Sequence, residues 1–183
     1  MSFIIYVSGR KKTDEGEALI MKLPSSFQIA PFYENQTVID EKKLRSDEDK
    51  WLSVYFYFDL TEVAKPWLEH ERFLPLIFHY WDKKKNQIKE DFRNREAKKA
   101  KPLMMAMSAL LIDALFWLNK EKVRNLTSLR TDIEELFYKP VNASERIHFI
   151  LTHVGHYQGF VQLEMLFEEL RKLYTRVKMI ERK

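Results

Sequence analysis

Residues Pro102–Asn119, PLMMAMSALLIDALFWLN, constrain this chain more than any other stretch. From Leu103 to Leu118 every residue is apolar except Ser108 and Asp113, and neither Gly nor Pro interrupts the run. Hydrophobicity alone does not separate helix from buried strand, but length does. A run this long, rich in Met, Ala and Leu, exceeds a typical strand and suits a helix. Proline is tolerated in a first helical turn, where its missing N–H would have no partner, so Pro102 is expected to open the helix. A helix apolar almost all round lies at the centre of a bundle or in a membrane. A bilayer span needs about 20 apolar residues. Asp113 interrupts this run, Lys and Arg flank it, and no second such segment occurs, so a buried hub helix is expected and no transmembrane segment.

The rest of the chain suits such a hub. Its 183 residues fit one domain with a sizeable core. The hydrophobic share of 45% argues against disorder although 32% of residues are charged. Four glycines and six prolines leave few turn signals, which favours long helices over a many-stranded sandwich. With no cysteine, disulfides and thiolate ligation or catalysis are excluded, which suits the reducing cytoplasm. The opening MSFIIYVSGRKK has its charges after its apolar run, the reverse of a secretory signal. A cytoplasmic location is expected.

In chain order, Phe3–Val7 reads as a short strand or a docking tail, and Gly9–Gly16 as polar and mobile. PSSFQIAPFY (Pro24–Tyr33) resists helix and suits an extended arm across a helical core. Residues 1–45 are therefore expected to form an N-terminal arm and charged linker, and residues 46–183 the helical domain. After Ser46, the spacing of Trp51, Leu52, Tyr55, Phe56, Leu60 and Val63 predicts a helix ended by Pro66, with a strand over Ser53–Phe58 as the competing reading. Pro75 is expected to break the following segment, and a short helix is expected over Asp132–Tyr138. Asn142-Ala-Ser-Glu145 reads as an N-cap opening a helix that Gly155 and Gly159 loosen or break. The final helix runs from about Phe160 to Ile180, with a stripe at Phe160, Leu163, Leu166, Phe167, Leu170, Leu173, Tyr174, Val177 and Ile180. The fold class is all-α: a single compact multi-helix bundle around a central apolar helix, with an extended N-terminal arm.

FLPLIFHYWDKKK (Phe73–Lys85) and KKAKPLMMAMSALLIDALFWLN (Lys98–Asn119) resemble the YpoC-like family of small helical proteins from Gram-positive bacteria, and PSSFQIAPFY resembles that family's N-terminal arm. A Gly-Lys-Pro-Val turn often follows the family's Phe-Trp-Leu-Asn helix end; this chain has NKEKV instead. These are packing motifs, and the resemblance carries no catalytic residues with it. Its functional implication is an association of the family's genes with DNA-repair and replication-initiation genes.

Three constellations are candidate sites. Asp82–Lys101 holds nine basic residues (Lys83, Lys84, Lys85, Lys89, Arg93, Arg95, Lys98, Lys99, Lys101) against four acidic ones. With the C-terminal cluster Arg171, Lys172, Arg176, Lys178, Arg182 and Lys183, they make a phosphate-binding surface if both lie on one face. Tyr80, Trp81 and Phe92 are then near for stacking. The competing reading is a solvated helix face. His148, His153 and His156 offer metal ligands, the last two at helical i, i+3 spacing, with His79 or Glu145 as a further ligand. HxxH lacks the HExxH context, and packing or surface histidines are the commoner outcome. Asp113, costly among apolar neighbours, is expected to face a groove or pair with an Arg or Lys; no second carboxylate at a defined spacing completes an acid–base pair.

No glycine-rich phosphate loop, nucleophile elbow or dinucleotide fingerprint occurs. The expectation is a non-enzymatic binding module without a cofactor, acting through a protein partner or a basic face on nucleic acid. WLEHERFLPLIFHYW and PFYEN are the expected exposed patches. The alternatives are a metal-dependent protein using the histidines and a membrane-surface adaptor using the basic cluster.

Overall fold

The computed structural model describes residues 10–11, 20–40 and 51–181. The readings of Phe3–Val7, the Ser46 cap and the linker 41–50 fall outside them. Three short antiparallel strands, β1 (Arg10–Lys11), β2 (Ile20–Lys22) and β3 (Val38–Asp40), form a sheet in that order. Met21 pairs with Ile39 and both are buried, while the next pair, Lys22 with Val38, is exposed, as the two-residue period of strands requires. Between β2 and β3 the chain makes a 3-10 turn at Ser25–Phe27 and buries Phe27, Phe32 and Tyr33. Phe27 and Phe32 pack on Phe56, and the Tyr33 hydroxyl donates to the Tyr55 carbonyl at 2.7 Å.

The expected helix through Trp51–Val63 is broken. Residues 51–53 are helical, Phe56 takes a left-handed φ of 58°, and a separate helix α1 spans Tyr57–Thr61. The break aims Phe56, 1% exposed, at the arm, whereas Trp51 and Phe58 face the hub.

The helices α2 (His70–Arg93), α3 (Ala97–Leu118), α4 (Leu129–Glu135), α5 (Ala143–Thr152) and α6 (Tyr157–Glu181) make up the remainder. Pro75 lies inside α2 rather than breaking it. It removes the donor for the Glu71 carbonyl, toward which the Tyr174 hydroxyl of α6 reaches at 3.4 Å. The hub α3 opens at Ala97, before Pro102, because the Glu96 carbonyl already accepts from Lys99 and Ala100, and Pro102 faces solvent. From Ala106 to Leu118 every residue is buried. By length and composition α3 could cross a membrane, but 78% of its apolar window is buried inside the fold.

Both long helices of the α2–α3 hairpin end in Schellman turns without glycine. Arg95 (φ 59°) follows α2, with Glu96 N–H bonded to the Asp91 carbonyl; Lys120 (φ 61°) follows α3, with Glu121 N–H bonded to the Phe116 carbonyl. This is how a chain with four glycines still turns sharply. Against the hairpin lies α6, antiparallel to α2, with Trp81 stacked on Phe167 at 4.4 Å. The Asn142 side chain makes no capping hydrogen bond; Ser144 instead donates to the Arg130 carbonyl and Glu134, tying α5 to α4. At Gly159, in the first turn of α6, an added Cβ would sit 2.4 Å from the His153 carbonyl oxygen, so the α5–α6 turn closes on a glycine.

Candidate functional site

The basic run of Asp82–Lys101 lies where α2 turns into α3. Asp82 binds Lys85 (3.0 Å) and Arg171 (2.8 Å), Glu90 binds Arg93 (2.7 Å), and Lys99 lies 3.1 Å from Glu96 and 3.5 Å from Asp91. Exposed ion pairs are worth little; of these carboxylates Asp91 is the buried one. Phe78 and Asp82 mark the edge of α2 that faces α6, since both meet Arg171. Lys85, Lys89 and Arg93 continue that edge at helical spacing, and Arg95, Lys98 and Lys101 are exposed around the turn. Lys83 is exposed and Lys84 half-buried on the same helix.

Two aromatic residues mark this end of the bundle. Tyr157, the first residue of α6, is 45% exposed and meets Phe92 edge-to-face at 6.1 Å. His156 beside it is also exposed. Tyr80 and Trp81, expected as stacking partners, are turned inward; Trp81 is fully buried between Phe160 and Phe167, and Tyr80 packs on Trp51.

Among the described residues of the C-terminal basic cluster, Arg176 and Lys178 do not join this surface. Along the antiparallel α2–α6 pair, Phe92 meets Tyr157 at one end and His70 meets Glu181 at the other. Arg176 and Lys178 belong to the His70 end, roughly 25 Å of helix away. Only Arg171 reaches across, to Asp82, and Arg182 and Lys183 fall outside the described residues.

His153 and His156 do not share a helical face, because α5 ends at Thr152 and α6 begins at Tyr157. His153 stacks on Phe149 and directs Nδ1 to the Phe149 carbonyl at 2.9 Å; its ring lies 5.5 Å from that of His156. His148 lines a separate cleft. Among the described residues no group of three His, Cys, Asp or Glu side chains is placed to hold a metal ion.

That cleft, about 520 Å³, lies between the arm (Ile29, Pro31) and helices α4 and α5, with Leu129, Ile133, Ile147 and Leu151 in its walls. The patches expected to be exposed are mostly core: Phe32, Tyr33, Phe73, Leu74, Ile77 and Phe78 are buried, although Leu68 and Leu76 of the same segments face solvent, as do Phe137 and Val141, at 85% and 77%. Those aromatic segments are apolar because they line the interior.

Asp113 pairs with neither Arg nor Lys. It lies beside Asp59 of α1, and its Oδ1 has no hydrogen-bond partner. Asp59 accepts the Val123 backbone N–H at 2.6 Å and the Trp117 indole N–H at 3.2 Å. Burial pushes the Asp59 carboxyl up to about 7, against the pull of the Val123 and Trp117 hydrogen bonds and the charge of Lys122. Burial, then the charge of Asp59, raises Asp113 further above the ordinary carboxyl range. Two carboxyl groups buried side by side resist ionising together, which favours a proton held between them. Tyr33 is likewise held protonated, first by burial, then by Tyr55 and Asp113. Both acids are closed off from solvent, at 4% and 2% exposure, so the pair presents no face to a substrate. Fifty-four positions separate them and no spacing rule connects them, though an acid inside YFYFDL was a visible sign of a buried carboxylate.

A family model described as YpoC-like protein matches residues 71–182. The chain belongs to the YpoC-like family. The "Uncharacterized protein YpoC" of Bacillus subtilis (strain 168) is 30% identical over 146 residues, covering 77% of this chain and 88% of that protein. No solved structure matches. The YpoC-like match begins within α2 and extends through α6, beyond the motifs that carried the resemblance, and so contains the basic turn, Tyr157, the histidines and Asp113. Asp59 and the arm precede it.

Proposed function

We propose that this YpoC-like protein is a non-enzymatic, cytoplasmic helical module that binds nucleic acid through the α2–α3 turn. One observation carries the reading: Lys85, Lys89 and Arg93 line the α6-facing edge of α2 and lead to exposed Tyr157, while Arg95, Lys98 and Lys101 ring the turn. Flexible cations on a convex helical end suit phosphate contacts, which position a protein without reading sequence. Among the described residues no helix stands free to enter a groove. The gene association implied by the family resemblance points the same way.

The test is fluorescence anisotropy of labelled oligonucleotides at low and physiological salt. Affinity is expected to fall linearly on a log–log salt plot, because bound cations displace counterions. Lys89→Glu with Lys98→Glu is expected to weaken binding and flatten that slope. No binding at low salt overturns the reading.

The apolar cleft beside α4 and α5 favours a protein partner as the second reading. A photo-crosslinker at Thr152 is expected to label a single cytoplasmic protein, and Leu151→Glu to abolish that labelling. Labelling unchanged by Leu151→Glu removes the cleft from consideration.

A further inference from the structure

We infer that the α2–α3 end takes a single strand rather than a duplex, with Tyr157 as the ring on which an unpaired base stacks; this rests on the nucleic-acid reading above.

Tyr157 is held from within. Phe92 meets its ring edge-to-face at 6.1 Å and Phe160, fully buried, lies 5.7 Å away at 32°. The ring is therefore fixed by the core while 45% of the residue stays open. A preset aromatic surface binds a base without first having to be ordered. Exposed aromatic residues taken singly need no explanation. This one stands in contact with Phe92, whose neighbours along α2 are Lys89, one turn earlier, and Arg93, both exposed. Cations spaced about 6 Å apart along the helix, beside a fixed ring, match what a single strand presents: phosphates along one edge and free base faces along the other.

A duplex presents no free base face except at its ends. Reading its sequence also asks for an element that enters a groove, and here α3 is buried almost all round, α2 packs one face on the core, and the two meet in a tight turn at Arg95. The start of α6, a 25-residue helix, adds the positive end of its dipole at Tyr157. The carboxylates nearest the turn are each met by a cation: Glu90 by Arg93, and Asp91 and Glu96 by Lys99.

The experiment compares a labelled 20-mer of thymidylate with a duplex of the same length, using the full chain at low salt. Tighter binding of the single strand is expected. Tyr157→Ala is expected to weaken it roughly ten- to a hundredfold without changing its salt slope, since no charge is lost. Tyr157→Phe is expected to retain affinity, and Tyr157→Gln serves in place of the alanine variant if that one melts early. Duplex bound as tightly as single strand, with Tyr157→Ala or Tyr157→Gln indifferent, overturns this inference and leaves the nucleic-acid reading standing. Binding of neither probe overturns both.

Discussion

Trp117 directs its indole N–H at both oxygens of Asp59, 3.2 Å from each, and Asp59 in turn holds the Val123 backbone N–H at 2.6 Å. One carboxyl thus joins α1, the end of the hub α3 and the loop that follows it. Asp113 completes the arrangement from one turn earlier on α3. Removing Asp59 leaves buried donors without acceptors. Asp59→Ala is expected to destabilise the fold by about 2–4 kcal/mol, read as a fall in the denaturation midpoint at unchanged m-value.

The pair also sets a pH dependence of unusual sign. The Asp59 carboxyl sits near 7 in the folded protein, above its ordinary range, so the folded state holds the proton more tightly than the unfolded chain. Its contribution is fully present below about pH 4 and is lost as pH rises through about 7. Asp113→Asn supplies an amide donor in place of the shared proton. It is expected to raise stability above pH 7 by about 1–2 kcal/mol and to flatten the profile between pH 4.5 and 8. Urea denaturation across that range checks it; an unchanged profile contradicts the shared proton.

Gly159 closes the turn between α5 and α6. A Cβ there meets the His153 carbonyl oxygen at 2.4 Å, and that neighbour is backbone, not a flexible side chain. Gly159→Ala is expected to cost about 1–3 kcal/mol in thermal denaturation, although alanine is the better helix former.

Arg95 pays a steric cost in its left-handed conformation at the end of α2. Arg95→Gly is expected to stabilise the protein by about 1 kcal/mol while weakening oligonucleotide binding through loss of a cation. Opposite signs in the two assays separate the two roles; a loss of stability argues against the strain.

Trp81 and Phe167 stack at 4.4 Å between α2 and α6, and both are fully buried. Phe167→Ala is expected to destabilise by about 3–5 kcal/mol, the largest loss predicted here, read by chemical denaturation.

Much of this architecture was legible before any coordinates. The run from Leu103 to Leu118 was readable as a helix, because its length exceeds a strand, and the fold buries 78% of its apolar window. The stripe from Phe160 to Ile180 likewise foretold which face of α6 packs as far as Val177, whereas its last member, Ile180, is 55% exposed. Local periodicity carries that information because one helix presents one face. Only the tertiary structure decided what depends on several segments at once. It broke the helix at Phe56, where the backbone turns left-handed and the ring packs on Phe27 and Phe32 of the arm. It carried α2 through Pro75 and opened α3 before Pro102. It set Arg176 and Lys178 far from the α2–α3 turn, because α6 is antiparallel to α2. It brought Asp59 to Asp113, a pairing no spacing encodes, since a buried carboxyl takes its partner from whatever the packing places beside it.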